Sequence, residues 1–266
     1  MERRAGYGIC AISTMLMRKE PKHQAAVVSQ LLFGEAYAVE GISDCGKWLF
    51  ITNAEDSYPG WIDAYQYQEV SEAYYNRYQK TPHHYLTSAH GSVWVDGQSE
   101  TLISIGSVLP FYERGKADLG FTTVKLTAGA LATQATGHVF DTAQLLIGVP
   151  YVWGGRSIFG MDCSGFIQQL FKLHGLRLRR DSRQQARYGE AVKSIENALP
   201  GDLAFFEQEG QVDHVGMILP DNKIIHSLGK VRVDSIDAQG IRNVTTDTYT
   251  HQLSFIRRVI YISEPA

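Results

Sequence analysis

Over roughly its first 130 residues this chain places its apolar positions in short β-type runs, with no helical period between them. The runs are VVSQLLF (27–33), AYAVEGI (36–42), KWLFIT (47–52) and GWIDAY (60–65), and later SVWVDG (92–97), TLISIG (101–106), SVLPFYE (107–113) and FTTVKLT (121–127). Strands this short, separated by turn residues, argue for small barrels or sandwiches. Between the two sets lies QYQEVSEAYYNRYQKTP (66–82), which reads as a short helix or connector ending at Pro82. Two consecutive small β modules follow as the economical organisation, although no exact repeat links them. Half of the 14 tyrosines fall between Tyr58 and Tyr85, which predicts aromatic packing between the modules.

Near residue 137 the period changes. Val139, Phe140, Ala143, Leu146 and Ile147 recur at helical spacing and stop at Pro150. A second amphipathic helix begins near Cys163, with Phe166, Ile167, Leu170 and Phe171 on one stripe and Gly175 as a left-handed cap. A shorter polar helix is expected at 182–190. Strands follow at DLAFFE (202–207), HVGMILP (214–220), KIIHSL (223–228), KVRVDSI (230–236) and SFIRRVIYI, with an Asp221-Asn222 turn between the second and third. Helices followed by antiparallel strands make this half α+β. The domains are therefore expected at 1–70 (first barrel), 71–135 (connector and second barrel) and 136–266.

Composition closes off other classes. The 266 residues carry 25 Lys and Arg against 28 Asp and Glu, a net charge of −3 without a long basic run. That is no footprint for nucleic acid or an anionic membrane. No apolar stretch approaches the ~20 residues needed to span a bilayer. Arg3 and Arg4 before the mildly apolar Gly6 to Met17 run loosely mimic a signal peptide, but the run ends at Arg18-Lys19-Glu20 without a small-residue cleavage site, so it is read as a first strand. The 3 cysteines, Cys10, Cys45 and Cys163, suggest neither a disulfide framework nor a zinc module. The remaining histidines form no metal set, and His251 falls in an expected polar or turn segment.

The chemistry sits in YVWGGRSIFGMDCSGF (151–166), a loop that opens into a helix whose first residue is Cys163. A thiol there meets the positive end of the helix and unsatisfied backbone N–H groups, which is expected to lower its pKa from ~8.5. Gly154, Gly155, Gly160 and Gly165 leave room for a substrate backbone. Downstream, His214 opens one expected strand and His226 lies in the next, so the hairpin brings them to one face. Cysteine, proton-accepting histidine and a second polar ring make up a nucleophile, base and orienter. Cys10 and Cys45, lacking such partners, are read as core residues.

In their order and spacing, YVWGG, DCSGF, LPGDLAFF (199–206), DHVGMIL (213–219) and IIHS (224–227) resemble the NlpC-type papain-like cell-wall cysteine peptidases over about residues 137–266. The resemblance implies Cys163 as nucleophile, His214 as general base and His226 as the third polar residue. It also implies that the Tyr151 hydroxyl and the Cys163 backbone N–H stabilise the oxyanion, with Trp153 packing beneath the site. No metal or other cofactor is implied. LLFGEAY (31–37) and DSYPGWI (56–62) resemble bacterial SH3-like barrels.

Two such barrels before this catalytic domain are the layout of γ-D-glutamyl-L-diamino acid endopeptidases that trim free murein peptides. By that resemblance the first barrel walls the active site. Glu35, Tyr58 and Asp181 would then receive the free α-ammonium of an N-terminal L-Ala, and Ser164 and Ser182 would face the D-glutamate α-carboxylate. Asp162 and Asp213 are expected to hold backbone, and Arg156 either offsets substrate charge or pairs with a neighbouring acid. The expected partner is thus a murein peptide and the expected location cytoplasmic, or secreted or periplasmic if a leader was removed. Two alternatives remain open: a secreted hydrolase of intact stem peptides anchored by its barrels, and an inactive wall-binding protein. The sequence sets neither the diamino acid nor the oligomeric state.

Overall fold

A computed structural model describes residues 6–95 and 99–259; Arg3, Arg4, the last two residues of SVWVDG and the end of SFIRRVIYI lie outside the described residues. The chain divides into two compact units, one of residues 1–136 with 153–160, the other of 137–152 with 161–266. The segment 153–160 thus belongs to the first unit, although it lies within the span expected for the catalytic domain. The fold is α+β and rich in strands, as the sequence predicts.

In the first unit, β1 (Gly6–Ile9), β2 (Thr14–Arg18), β3 (Val27–Leu32), β4 (Ala36–Ile42), β5 (Trp48–Asn53), β6 (Pro59–Asp63) and β7 (Glu69–Val70) form one sheet, ordered β3-β2-β6-β5-β4-β1-β7. The Gly6 to Met17 run thereby supplies β1 and most of β2. Alternation along β2, β4 and β5 turns Met15, Met17, Tyr37, Val39, Leu49 and Ile51 into a core shared with Cys10, Leu31 and Ile62. The tyrosine-rich connector forms α1 (Glu72–Lys80), capped by the Ser71 hydroxyl on the Tyr74 N–H and burying Tyr74, Tyr75 and Tyr78. Beyond it, β8 (His84–Leu86), β9 (His90–Val95), β10 (Ser99–Ser104), β11 (Val108–Leu109), β12 (Lys116–Asp118), β13 (Thr123–Ala128) and β14 (Leu131–Ala132) make two small sheets, β10-β9-β13-β12 and β11-β8-β14. Cys45 is not a core residue: it is exposed in the turn joining β4 to β5.

The second unit holds α2 (Val139–Gln144), α3 (Cys163–Leu173) and α4 (Ser182–Gln185), the last shorter than expected. Along the chain between α2 and α3, β15 (Arg156–Ser157) belongs to the first unit and β16 (Gly160–Met161) lies where the chain returns to the second. Its main sheet comprises β17 (Glu190–Val192), β18 (Leu203–Gln208), β19 (Gln211–Leu219), β20 (Lys223–Leu228), β21 (Lys230–Ile236), β22 (Gly240–Asn243) and β23 (Thr248–Arg258), ordered β17-β23-β18-β19-β20-β21-β22. Pairing of β22 with β23 closes six of these strands into a barrel, leaving β17 on its edge. Ala204, Phe206, Ile218, Ile224, Ile236, Ile241 and Ile256 pack together in this sheet. All 11 residues of α3 are buried, not only the expected stripe, and the helix packs against β19 and β20. That contact fixes where its first residue points.

Candidate active site

The start of α3 is set by Asp162, whose Oδ1 accepts the Gly165 N–H at 2.7 Å. Asp162 is only 6% exposed, and the guanidinium of Arg180 grips it in a fork, Nη2 to Oδ2 at 2.7 Å and Nη1 to Oδ1 at 3.0 Å. The same Nη1 donates to the Ser164 hydroxyl at 3.0 Å, and that hydroxyl donates to Asp162 at 3.2 Å. Gln185 Nε2 donates to the Ser164 carbonyl at 2.9 Å. These bonds tie α4, from its last residue and from the residue before its N-cap, to the start of α3; Asp181 is that N-cap and Ser182 the first position of the helix, both half-buried. Arg180 was not among the sequence candidates; its only signal was its place directly before Asp181-Ser182.

The Cys163 thiol lies 3.8 Å from the carbonyl oxygen of Asp213, the residue before His214. Its environment reverses one expectation from the sequence. Burial, reinforced by the Asp162 carboxylate, pushes the thiol up to about 12, against the pull of the Val215 and Ser164 backbone and of Arg180. Desolvation of a charged sulfur outweighs the helix end, so the nucleophile rests as a thiol and needs a base. Tyr151, half-buried, is raised to about 12 by burial and by Cys163 and Asp162, which keeps its hydroxyl a donor at neutral pH.

The base stands on β19. Cross-strand register puts Gly216 opposite His226 and Ile224 opposite Asp234, so His214, His226 and Asp234 step diagonally across β19, β20 and β21. His214 Nε2 is 2.8 Å from His226 Nδ1, and His226 Nε2 is 3.0 Å from Asp234 Oδ2. Gly216 keeps this face open: a Cβ there would lie 2.7 Å from Ile224 Cδ1 and 3.0 Å from His226 Cβ. Burial, then His226 and His251, hold the His214 imidazole well below its ordinary value. His251 is a further residue missed from the sequence. It sits on β23, not in a turn, and stacks on His214 with centroids 4.3 Å apart. Asp234, within KVRVDSI, was missed as well. Burial raises its carboxyl, but bonds from His226, the Val244 N–H and Arg232 outweigh this and bring it to about 2.

Glu35 and Tyr58 lie in the first unit. Glu35 is fully buried and paired with Arg156, Nη2 to Oε1 at 2.8 Å and Nη1 to Oε2 at 3.3 Å, and also accepts the Leu32 N–H at 3.0 Å. Arg156, 1% exposed, has a second acid at 3.7 Å in Asp56, so the pairing alternative read from the sequence is the one observed. Tyr58 packs on the β-sheet core, with its backbone N–H on Asp56 Oδ1 at 3.0 Å. Gly154 serves the backbone: it has φ +77, and a Cβ would lie 2.6 Å from the Val27 carbonyl oxygen. Trp153 is 65% exposed, not the buried support expected from the sequence. Among the described residues no group of His, Cys, Asp and Glu side chains is arranged to hold a metal ion.

Residues 148–250 match the NlpC/P60 family and residues 17–66 the bacterial dipeptidyl-peptidase Sh3 domain. A gamma-D-glutamyl-L-lysine dipeptidyl-peptidase of Bacillus subtilis (strain 168) is 30% identical over 255 residues, covering 87% of this chain and 81% of its own length. A protein of the same description from Bacillus cereus (strain ATCC 10987 / NRS 248) is 30% identical over 224 residues, covering 75% of this chain and 66% of its own. The crystal structure of an NlpC/P60 family protein from Bacillus cereus ATCC 10987 shares the fold, with a TM-score of 0.80 at 21% identity over 96% of this chain and 99% of that one.

Proposed function

The chain belongs to the NlpC/P60 family of cell-wall peptidases, with a papain-like catalytic domain behind an SH3-like half, and from that premise we propose that it is a cysteine endopeptidase hydrolysing the γ-D-glutamyl-L-diamino acid bond of free murein peptides in cell-wall peptide recycling. The observation that carries this reading is the span of its likeness to a gamma-D-glutamyl-L-lysine dipeptidyl-peptidase: 87% of the chain, barrel and catalytic halves together. The reading carries with it a cytoplasmic site of action.

The reaction follows from the site. Cys163 attacks the γ-carbonyl carbon of D-glutamate while His214 takes the thiol proton. The tetrahedral oxyanion is met by the Tyr151 hydroxyl and the Cys163 backbone N–H. The C–N bond then breaks, and His214 returns its proton to the departing diamino acid amine, leaving a thioester. Water, deprotonated by His214, hydrolyses the thioester and regenerates the thiol. Ser182 serves the D-glutamate α-carboxylate, and Ser164, held by Arg180, joins it by turning its hydroxyl proton from Asp162 to that carboxylate. Asp181 receives the α-ammonium of L-Ala. Of the acids assigned to that ammonium, Asp181 is half-buried at a helix start, and Glu35 is fully buried in an ion pair with Arg156.

Mass spectrometry of products from L-Ala-γ-D-Glu-L-Lys, its meso-diaminopimelate counterpart, their N-acetylated forms and intact sacculi tests the reading. Release of L-Ala-D-Glu from the free peptides is expected, with N-acetylation lowering kcat/KM by at least ~100-fold, because it removes the charge that the Asp181 carboxylate would meet. Equal rates with and without the acetyl group would instead favour a hydrolase of the intact wall, and no cleavage at all a wall-binding protein.

A further inference from the structure

We propose that Asp234 and Arg232 are positioning residues that select the reactive tautomer of His214 through His226. The proposal rests on the peptidase reading only in taking His214 as the base. Asp234 is fully buried, and Arg232 meets both of its oxygens. Oδ1 accepts from Arg232 Nη2 at 2.8 Å and from the Val244 N–H at 3.0 Å, while Oδ2 faces His226 Nε2 at 3.0 Å and lies 2.8 Å from Arg232 Nε.

Arg232 and the Val244 N–H hold the carboxylate in place. An ionised carboxylate only accepts, so His226 carries its proton on Nε2. Arg232, opposite His226 in the strand register, already balances the Asp234 charge. His226, also fully buried, makes one hydrogen bond through each ring nitrogen, and its proton is committed to Nε2. Its Nδ1 is then an acceptor. His214 Nε2, 2.8 Å away, must donate to it, and the lone pair of His214 is forced onto Nδ1, the nitrogen left to take a thiol proton. The other titratable groups facing the pair are His251, stacked on His214 from β23, and Cys163 on α3, which packs against both strands.

The two residues fail differently. In Asp234→Asn the amide oxygen is favoured at the Oδ1 site, whose two partners, Arg232 Nη2 and the Val244 N–H, can only donate, and the NH2 is turned toward His226 Nε2 and Arg232 Nε. His226 Nε2 then becomes an acceptor, His226 Nδ1 becomes the donor, and the proton on His214 moves to Nδ1. No base remains at any pH. In Arg232→Met the carboxylate still accepts from His226 but loses the guanidinium that holds it, so the tautomer is kept and the ring is held less firmly.

The test measures kcat and KM for L-Ala-γ-D-Glu-L-Lys from pH 5 to 9 and reads imidazole tautomers by two-bond 1H–15N NMR in the wild-type protein and both variants. Asp234→Asn is expected to lower kcat by at least ~100-fold at every pH, with KM little changed and His214 in the Nδ1–H form. Arg232→Met is expected to lower kcat by less than Asp234→Asn does, with His214 still in the Nε2–H form. Wild-type His214 found as the Nδ1–H tautomer at neutral pH would overturn the proposal even if neither variant folds. Asp234→Asn within threefold of wild-type kcat would overturn it too. If the wild-type protein cleaves no γ-D-glutamyl peptide the functional reading fails, and the wild-type tautomer still decides the relay.

Discussion

Replacing Arg180 by methionine isolates what holds the nucleophile's helix in place. Arg180 is 1% exposed and gives Asp162 two bonds, at 2.7 and 3.0 Å. The substitution keeps most of the side-chain volume but strands the Asp162 carboxylate. Breaking a buried pair by removing one partner costs about 3–5 kcal/mol. Asp162 keeps the Gly165 N–H at 2.7 Å and the Ser164 hydroxyl at 3.2 Å, and its place at a helix N-terminus returns about 1 kcal/mol. The net loss should be about 2–4 kcal/mol. Asp162→Asn in the same background keeps an N-cap acceptor and removes the stranded charge, so the double variant should be more stable than Arg180→Met alone by at least about 1 kcal/mol. Native-state hydrogen exchange of the α3 amides reads this locally, apart from the stability of the first unit. A loss below about 0.5 kcal/mol, or a double variant as unstable as the sum of the singles, would refute the buried-pair reasoning.

Two further outcomes follow from the site's electrostatics. At pH 6 iodoacetamide should label Cys45 before Cys163. Cys45 is exposed and pulled below its ordinary value by the Ser43 hydroxyl, whereas burial takes Cys163 up to about 12. Peptide mapping should show turnover lost only as Cys163 is labelled, and loss tracking Cys45 instead would exclude Cys163 as the nucleophile. The acid limb of kcat/KM should lie well below pH 6.5, because burial, His226 and His251 depress His214. A depressed folded-state value means the unfolded chain binds that proton first. Stability is therefore complete above the ordinary histidine value of ~6.5 and falls as the pH drops below it. Urea titrations at pH 7.5 and 5 should show this, and His214→Ala should reduce the difference; an unchanged difference would place the burden on other histidines.

What the sequence determined by itself is local. The change from short alternating runs to helical spacing near residue 137, the start of α3 at Cys163, the left-handed Gly175 after its end (φ 84) and the Asp221-Asn222 turn (φ 61 and 53) all depend on neighbours in the chain. Motif order then made the nucleophile and two histidines readable, because a hairpin brings residues 12 apart, His214 and His226, to one face. Asp234 looked like any polar position of an alternating strand. It joined the relay only through the register of β20 on β21, and a slip of one residue would have turned it to the other face. Arg180 and Asp162 meet across 18 residues, and Glu35 and Arg156 across 121, at distances no local pattern encodes. His251 came to His214 through the pairing of β23 with β18, whose Phe206 stands opposite His214 and touches both rings. The thiol shows the same division: its helix-start position is written in the residues on either side. Its resting protonation is decided by how much water the folded protein removes, and burial is a property of the whole packing.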